Sequence, residues 1–187
     1  NGIIKLGIVG YGRIANRFIP ESKFVSGVNI EGVFGPNQNS LEQFVKKHEL
    51  AFFTLNYDDL LDRVDAVYIA SPHLTHYEYI RRALIKGKHV LCEKPIVLSA
   101  KQANELYKLA EEKRCVLLEA IKTAYAPGFL RLISIAKSGL IGKIKNIDAT
   151  FTKLVKGNIR ELDINTGGGS MTELGSYPLL AIIKLLG

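Results

Sequence analysis

The sequence predicts an α/β protein with a doubly wound parallel sheet, followed by the beginning of an incomplete α+β domain. Short apolar runs alternate with stretches of helical periodicity from Ile3 to Ala120. Such alternation is typical of strand–helix–strand units, whose parallel strands are buried on both faces. After Ala120 the alternation stops, and two helical stretches and one strand-like stretch follow. We therefore divide the chain into domains at residues 1–120 and 121–187.

Six apolar runs of the first domain are predicted to form the strands of the sheet. They cover residues 3–9, 28–34, 52–54, 64–70, 89–92 and 115–120. The helices between them are expected to begin at residues whose side chains accept hydrogen bonds from free backbone N–H groups. We assign this capping role to Ser40, Asp58, Thr75 and Ser99.

The second domain is predicted to contain two helices and one longer strand. Pro127 suits the first turn of a helix that runs to about Lys137. Residues 144–154 alternate partly between apolar and polar, which predicts a strand, and residues 171–186 form an apolar helix. A single strand and two helices make a poor independent domain. We therefore expect the sequence to stop inside a longer second domain.

The composition is that of an ordinary globular protein with an excess of basic residues. Of its 187 residues, 47% are hydrophobic and 23% are charged, and the net charge is +7. The lysines are spread over helix faces and loops, so solvated surfaces explain them and we expect no nucleic-acid partner. Gly, Lys or Asp interrupts each apolar run before it could cross a bilayer, so we expect no membrane partner.

The cysteines and the N-terminus favour a cytoplasmic protein. The sequence does not open with a basic segment and an apolar core, as an export signal does. Cys92 and Cys115 lie in apolar runs, where a pair of buried, reduced thiols is the default interpretation. No cluster of Cys, His and carboxylate residues has the spacing of metal ligands, so we expect no metal site.

The most informative motif is the glycine-rich stretch from Gly10 to Ala15, which joins the first predicted strand to the first predicted helix. In a dinucleotide-binding (Rossmann) unit, one glycine permits a tight turn and a second lets the backbone approach a pyrophosphate. Gly10 and Gly12 have these positions, and Ala15 is small enough for the helix to pack on the strand. Glycines also mark ordinary turns, but the order strand–glycine–helix favours binding of NAD or NADP.

The end of the second predicted strand leaves the choice between NAD and NADP open. NAD-specific proteins usually have Asp or Glu there, whereas a nearby Arg accommodates the 2′-phosphate of NADP. This chain has Gly35, followed by Pro, Asn, Gln and Asn. Glu31 lies inside the strand and is too early to bind the ribose.

Two further motifs follow predicted strands, and both should meet the glycine loop at the carboxyl edge of the sheet. They are Ser-Pro-His-Leu-Thr-His at residues 71–76 and Glu-Lys-Pro at residues 93–95. Together with the glycine loop, Glu119-Ala120 and residues 167–178, they resemble the Gfo/Idh/MocA family of nicotinamide-dependent oxidoreductases. Within this family, the chain resembles the branch of dimeric dihydrodiol dehydrogenase and glucose–fructose oxidoreductase. In that branch a Tyr, here Tyr177, replaces the His that is common in other members.

This resemblance implies hydride transfer between a nicotinamide and a carbon of a sugar-like or cyclic alcohol. Lys94 would lie beside the reacting oxygen, and Tyr177 would be the general acid or base. The chemistry requires a group that takes the hydroxyl proton, and a nearby ammonium lowers the pKa of a tyrosine from about 10. The alternatives are a solvated loop lysine and a tyrosine that packs in a core.

The residues expected to bind the cofactor belong to the motifs at the sheet edge. They are Gly10, Tyr11, Gly12, Arg13, Ile14, Ala15, Gly35, Ser71, Pro72, His73, His76, Glu93 and Lys94. Glu173 is expected to bind substrate hydroxyls, although the family usually has Asp at this place. A carboxylate on a longer side chain still binds hydroxyls, but its reach differs.

Two interpretations of the function follow. The first is an NAD(P)-dependent dehydrogenase or reductase that acts on a small polyol, sugar or cyclic diol and, at the family's full length, forms a dimer. The second is a catalytically silent nucleotide-binding regulator or sensor. Retention of both Lys94 and Tyr177 favours the enzyme, whereas Glu173 and the short second domain favour the regulator.

Overall fold

The computed structural model describes residues 2–157 and 160–187. The chain forms two compact units, Asn1–Glu119 and Ala120–Gly187. Among the described residues, no helix is both long enough and apolar enough to cross a membrane.

The first unit contains the predicted doubly wound parallel sheet. Its strands are β1 (Ile4–Val9), β2 (Val28–Phe34), β3 (Phe52–Thr54), β4 (Ala66–Ile69), β5 (His89–Cys92) and β6 (Leu117–Glu119). They pair in parallel in the order β3-β2-β1-β4-β5-β6. The strands β2 and β3 therefore lie on one side of β1, and β4, β5 and β6 lie on its other side. In such sheets the crevice at this reversal of strand order is where ligands bind.

Five helices connect these strands. They are α1 (Arg13–Ser22), α2 (Gln38–His48), α3 (Tyr57–Leu61), α4 (His76–Ile85) and α5 (Ala100–Glu112). Strand ends in this unit differ from the predicted bounds by at most a few residues, mainly in β4 and β6. Parallel pairing limits these two strands, since only residues opposite a partner strand are hydrogen-bonded in the ladder.

The helix starts correct several of the predicted caps. Asn37 caps α2 by accepting a hydrogen bond from the Ser40 N–H, and Asn56 caps α3 in the same way. Ser40 and Asp58 therefore lie inside their helices, and their backbone N–H groups donate to these asparagine caps. The side-chain oxygen of a capping asparagine accepts from an N–H two or three residues later in the chain. The true caps therefore lie two or three residues before the predicted ones.

The other two predicted caps make no side-chain capping bond. Ser99 precedes α5 as expected, without a hydrogen bond from its hydroxyl to the helix. The Thr75 hydroxyl donates instead to the Pro72 carbonyl, 2.7 Å away, because a 3-10 turn at His73–Thr75 precedes α4.

The core of the first unit is formed by the ends of the central strands and by the helices packed on them. The last four residues of β1 and the last three of β4 are buried. Gly7 in β1 makes room for Leu60 of α3, since a Cβ at Gly7 would lie 3.0 Å from the Leu60 side chain. Close packing at this point holds α3 against the strand whose carboxyl end carries the glycine loop.

The second unit contains α6 (Pro127–Lys137) and α7 (Ser176–Leu186). A π-helical turn at Met171–Gly175 leads directly into α7, so the predicted apolar helix exists with a wider first turn. The predicted strand at residues 144–154 is wrong, because all of these residues lie outside helices and strands. A strand needs a hydrogen-bonding partner, and within the described residues every strand belongs to the sheet of the first unit.

Replacing Leu60 with Ala should lower the free energy of unfolding by about 2–5 kcal/mol, because a wholly buried side chain would leave a cavity. Leu55 is the matched control, since 51% of its surface is exposed. Its replacement by Ala should change the free energy of unfolding by about 0.5 kcal/mol or less. Urea denaturation of the two variants measures both effects. Equal losses would show that Leu60 is not the core contact described.

Candidate active site

The glycine loop begins with a turn at Gly10 that only glycine fits well. Its φ is +96°, and a Cβ there would lie 2.9 Å from the Ala70 carbonyl oxygen. The Gly10 N–H donates to the Phe34 carbonyl at 2.9 Å. The turn is therefore enclosed by the carboxyl ends of β2 and β4, which fixes where α1 begins.

Gly12 differs from Gly10 because the fold itself does not require a glycine there. Its φ is −74°, and apart from its chain neighbours no described atom lies within 4 Å of where its Cβ would be. Gly12 is also the N-cap of α1 and has no side chain with which to cap the helix. The space beside this backbone is therefore open to a bound group.

The first turn of α1 presents backbone N–H groups at this open space. The first helical hydrogen bond of this turn runs from the Asn16 N–H to the Gly12 carbonyl, at 3.0 Å. Arg13, Ile14 and Ala15 precede it, so their N–H groups have no acceptor within the helix. The first turn contains no acidic residue. Free N–H groups and the positive end of the helix dipole suit the phosphates of a dinucleotide.

Gly35 lies under the ring of Tyr11, at the end of β2. A Cβ at Gly35 would lie 2.4 Å from the Tyr11 Cε1 atom, so this packing requires a residue without a side chain. Position 35 therefore cannot supply a carboxylate to a ribose while Tyr11 keeps this position. The chain continues through Pro36 to the N-terminus of α2, whose first turn contains no acidic residue.

The segment after β4 is held by its own hydroxyl groups. The Ser71 and Thr75 hydroxyls are 2.7 Å apart. The Thr75 hydroxyl donates its proton to the Pro72 carbonyl, so the Ser71 hydroxyl is the donor between the two. His73 is buried, and its ring centre lies 5.6 Å from that of His76.

His76 is wholly buried and joins two of the motifs. Its Nδ1 lies 2.9 Å from the Pro95 carbonyl oxygen, and its Nε2 lies 2.9 Å from the Ser71 carbonyl oxygen. Burial lowers the pKa of His76, while the two carbonyl acceptors oppose that shift. A neutral ring has only one N–H to donate, so one of the two contacts is a hydrogen bond at a time. The structure thus gives His76 no exposed surface for a ligand.

The Glu-Lys-Pro segment after β5 and the residue that follows it are held by residues of β4 and β6. The Tyr68 hydroxyl donates to Glu93 Oε1 at 2.6 Å, and the Lys94 N–H donates to Glu93 Oε2 at 3.3 Å. From the end of β6, Glu119 Oε1 accepts the Ile96 N–H at 2.9 Å. The half-buried Lys94 therefore belongs to a segment whose backbone has little freedom.

Tyr68 also contacts the glycine-loop helix, and sequence analysis missed it. Its ring stacks on that of Phe18 in α1, with centroids 3.9 Å apart. Burial raises the pKa of Tyr68 well above its ordinary value, and Glu93 adds to this shift. An aromatic residue inside an apolar strand is predicted to be part of the hydrophobic core. The only sequence signal of a role for Tyr68 at the site was its place one residue before the end of β4.

The predicted site residues of the second unit lie around the π-helical turn and the start of α7. Glu173 lies in that turn, with 14% of its side chain exposed, and its Oε1 is 3.3 Å from Nη2 of Arg160. Tyr177 lies in the first turn of α7, and its ring stacks on Phe151 with centroids 4.5 Å apart. Sequence analysis missed Arg160, since nothing in its surroundings marked it as the partner of a carboxylate.

Backbone packing explains the glycine-rich turn that precedes Glu173. The Gly168 N–H donates to the Asp163 carbonyl, and the Gly169 N–H donates to the Glu161 carbonyl, both at 2.9 Å. A Cβ at Gly168 would lie 2.5 Å from the Arg160 carbonyl oxygen. Over the part of the chain that the structure describes, no group of three His, Cys, Asp or Glu residues could hold a metal ion.

Comparison with known proteins identifies the family. The profile of an oxidoreductase family with an NAD-binding Rossmann fold, Gfo/Idh/MocA, matches residues 4–121. The chain belongs to this family. The predicted resemblance is therefore confirmed, and the first unit of this Gfo/Idh/MocA protein carries the family's NAD-binding fold.

Several curated relatives share its sequence over almost the whole chain. A dTDP-3,4-didehydro-2,6-dideoxy-α-D-glucose 3-reductase of Actinomadura kijaniata is 32% identical over 98% of this chain and 56% of its own length. A trans-1,2-dihydrobenzene-1,2-diol dehydrogenase of Sus scrofa is 28% identical over 98% of this chain and 56% of its own. This Gfo/Idh/MocA chain thus spans a little over half the length of the relatives it matches.

A solved structure shows the same fold with a cofactor bound. A 3-ketoreductase from Actinomadura kijaniata, in complex with NADP and TDP-benzene, superposes with a TM-score of 0.89 and 32% identity. The superposition covers 100% of this chain and 58% of that protein. The Gfo/Idh/MocA chain therefore has the architecture of a relative whose crystals contain NADP.

Replacing Tyr68 with Phe should lower the free energy of unfolding at neutral pH by about 1.5–3 kcal/mol, the range for a hydrogen bond to a charged group. Above pH 10 the unfolded chain loses the tyrosine proton while the folded protein keeps it, since the folded pKa is raised. The free energy of unfolding of the wild type should then fall by about 1.4 kcal/mol per pH unit because of this one proton. The Phe variant has no such proton, so its stability should fall less steeply by that amount.

Denaturant titrations at several pH values between neutral and alkaline measure both effects. Tyr107 is 46% exposed, and its replacement by Phe is the matched control. Parallel curves for wild type and the Tyr68 variant above pH 10 would contradict the raised pKa of the buried Tyr68 hydroxyl.

Proposed function

We propose that this protein is an NAD(P)-dependent oxidoreductase that transfers a hydride between the nicotinamide and the carbinol carbon of a sugar-like or cyclic alcohol. The observation that carries the proposal is the open N-terminus of α1, where Gly12 is not needed for folding but leaves space beside free N–H groups. The family and its named reductases and dehydrogenases support the reaction class.

The cofactor would lie along the carboxyl edge of the sheet. Its pyrophosphate would accept hydrogen bonds from the N–H groups of residues 11–15 and its adenosine would lie near Gly35. Its nicotinamide half would lie between residues 71–76 and Lys94. We assign His76 a positioning role in this arrangement, since burial separates its ring from any ligand.

We infer that NADP is accepted at least as well as NAD. A carboxylate at the end of β2 would repel a 2′-phosphate, and this chain has none there because Gly35 packs under Tyr11. The N-terminus of α2 follows directly, with no acidic residue in its first turn. A relative named scyllo-inositol 2-dehydrogenase (NADP(+)) from Bacillus subtilis is 29% identical over 99% of this chain, which agrees with this preference.

The bound nicotinamide would accept or supply the hydride. In the oxidation direction, the substrate hydroxyl must also lose a proton, for which we propose the Tyr177 side chain as base. The Lys94 ammonium would donate a hydrogen bond to the same oxygen and stabilise negative charge that develops there. Glu173, with Arg160 beside it, would accept hydrogen bonds from other substrate hydroxyls.

The remaining parts of the proposal concern partners and location. We expect a small polyol, sugar or cyclic diol as substrate, a dimer as the oligomeric state and no nucleic-acid partner. Both cysteines are free thiols, as is usual in a reducing compartment, so we propose the cytoplasm.

Replacing Gly12 with Val should abolish binding of NADH and NADPH while the protein still folds, because the new side chain would occupy the space proposed for the pyrophosphate. Calorimetric titration of the wild type and the variant measures binding, and thermal unfolding reports on folding. Gly128→Val is the matched control, since a Cβ at Gly128 in α6 also meets open space. Equal cofactor binding by wild type and the Gly12 variant would refute the proposed site.

Replacing Tyr177 with Phe should lower kcat by about 10²–10⁴-fold, the usual contribution of one general acid or base. Cofactor affinity should change little, since we assign the phenol to the substrate. Lys94→Met should lower kcat comparably and shift the alkaline limb of the pH–rate profile upward. The measurement is steady-state oxidation of aldoses and cyclic diols by the natural protein.

The control for this prediction is Tyr125→Phe, since Tyr125 lies in the same unit and is 59% exposed. Undiminished kcat in the Tyr177 variant would assign the proton transfer to another group. Tight cofactor binding without turnover of any substrate in the panel would favour the regulator or sensor instead.

A further inference from the structure

Asn16 in α1 makes hydrogen bonds with every part of its side-chain amide. Its Nδ2 donates to the Tyr11 carbonyl at 3.1 Å and to the Gly12 carbonyl at 3.0 Å. Its Oδ1 accepts from Lys47 Nζ at 2.8 Å and lies 2.9 Å from His48 Nε2. The side chain therefore connects the glycine loop to the C-terminal end of α2.

The surroundings fix which way the amide points. The amide nitrogen faces two carbonyl oxygens, which only accept hydrogen bonds, while the lysine ammonium only donates. Burial lowers the pKa of His48, and the charges of Lys47 and Lys23 lower it further. The neutral His48 ring then carries its proton on Nε2 and donates it to Asn16 Oδ1. In the opposite orientation the amide oxygen would face the two carbonyl oxygens, and the amide nitrogen would face the Lys47 ammonium.

The two carbonyls that Asn16 binds determine where two N–H groups of the loop point. In a trans peptide the C=O and the following N–H point in opposite directions, because the unit is planar. Holding the Tyr11 carbonyl on Asn16 therefore turns the Gly12 N–H away from Asn16. Holding the Gly12 carbonyl does the same for the Arg13 N–H. Both N–H groups belong to the segment proposed to bind the pyrophosphate.

We propose that Asn16 is a positioning residue of the cofactor site, because it aims the Gly12 and Arg13 N–H groups at the pyrophosphate. This inference rests on the proposed cofactor site and adds a residue that need not contact the dinucleotide. Asn16 also couples the glycine loop to α2, which begins next to the proposed adenosine site. Gly35 and Asn37 lie at that end of α2, whereas Lys47 and His48 lie at the other.

Two variants of Asn16 test the proposal. Asn16→Leu keeps the size and removes all four hydrogen bonds, and NADPH should bind roughly tenfold more weakly, the scale of one or two net hydrogen bonds. Asn16→Asp keeps the acceptor for Lys47 and His48 but faces the loop carbonyls with a carboxylate. NADPH should then bind on the order of 100-fold more weakly, because a charge is added to the lost donors. Asn104→Leu and Asn104→Asp, at an exposed position of α5, are the matched controls.

Two readouts separate aiming of the N–H groups from general loosening of the fold. ADP should lose affinity by the same factors as NADPH, whereas 2′-AMP, which lacks the 5′-diphosphate, should keep its affinity. With ADP bound, amide hydrogen exchange of residues 12 and 13 should be slow in the wild type and faster in both variants at matched occupancy, with exchange in β1 and β4 unchanged.

The outcomes are distinct. Equal losses for ADP and 2′-AMP, or unchanged NADPH binding by both Asn16 variants, would overturn the positioning role and leave the cofactor site standing. If the wild type binds none of NADH, NADPH and ADP, the proposed function fails, and the positioning role fails with it.

Discussion

The turn at Gly10 is the constraint on which the rest of the structure depends. Its backbone lies between the Phe34 and Ala70 carbonyls, so the ends of β2 and β4 decide where the chain leaves β1. A φ of +96° then directs the chain into α1. Because the turn has no room for a side chain, the chain can enter α1 in this way only with glycine at position 10. The N–H groups proposed to bind the pyrophosphate belong to the helix turn that starts there.

The segment that carries Lys94 is a second place where the ends of neighbouring strands fix the backbone. Three strands end next to one another, and residues from β4, α4 and β6 each contact a different group of this stretch: Tyr68 the Glu93 carboxylate, His76 the Pro95 carbonyl and Glu119 the Ile96 N–H. Lys94 is half-buried and belongs to this fixed backbone. A rigid base of this kind suits a group that must meet a small substrate at one atom.

Sequence patterns predicted the sheet and its motifs because both depend on local regularities. Buried parallel strands are continuous apolar runs, and the glycine loop has a fixed place between strand and helix. The caps at Asn37 and Asn56 were missed because serine and aspartate nearby gave equally good local signals. Tyr68, Asn16 and Arg160 act through partners that are distant in sequence, and no local pattern marks such contacts. The strand expected at residues 144–154 failed for a related reason, since alternation shows a possible face but not a partner.

The packing of Tyr11 on Gly35 has a consequence for how cofactor preference could change in evolution or by engineering. A carboxylate at position 35 would collide with the Tyr11 ring in its present position, so introducing an acid there requires the ring to move or a smaller residue at position 11. The two positions should therefore vary together among homologues. Residues from Pro36 to Asn39, which follow at the start of α2, offer other positions at which selectivity could be altered. A single aromatic ring thereby limits which mutational routes between the two nicotinamide cofactors are open to this protein.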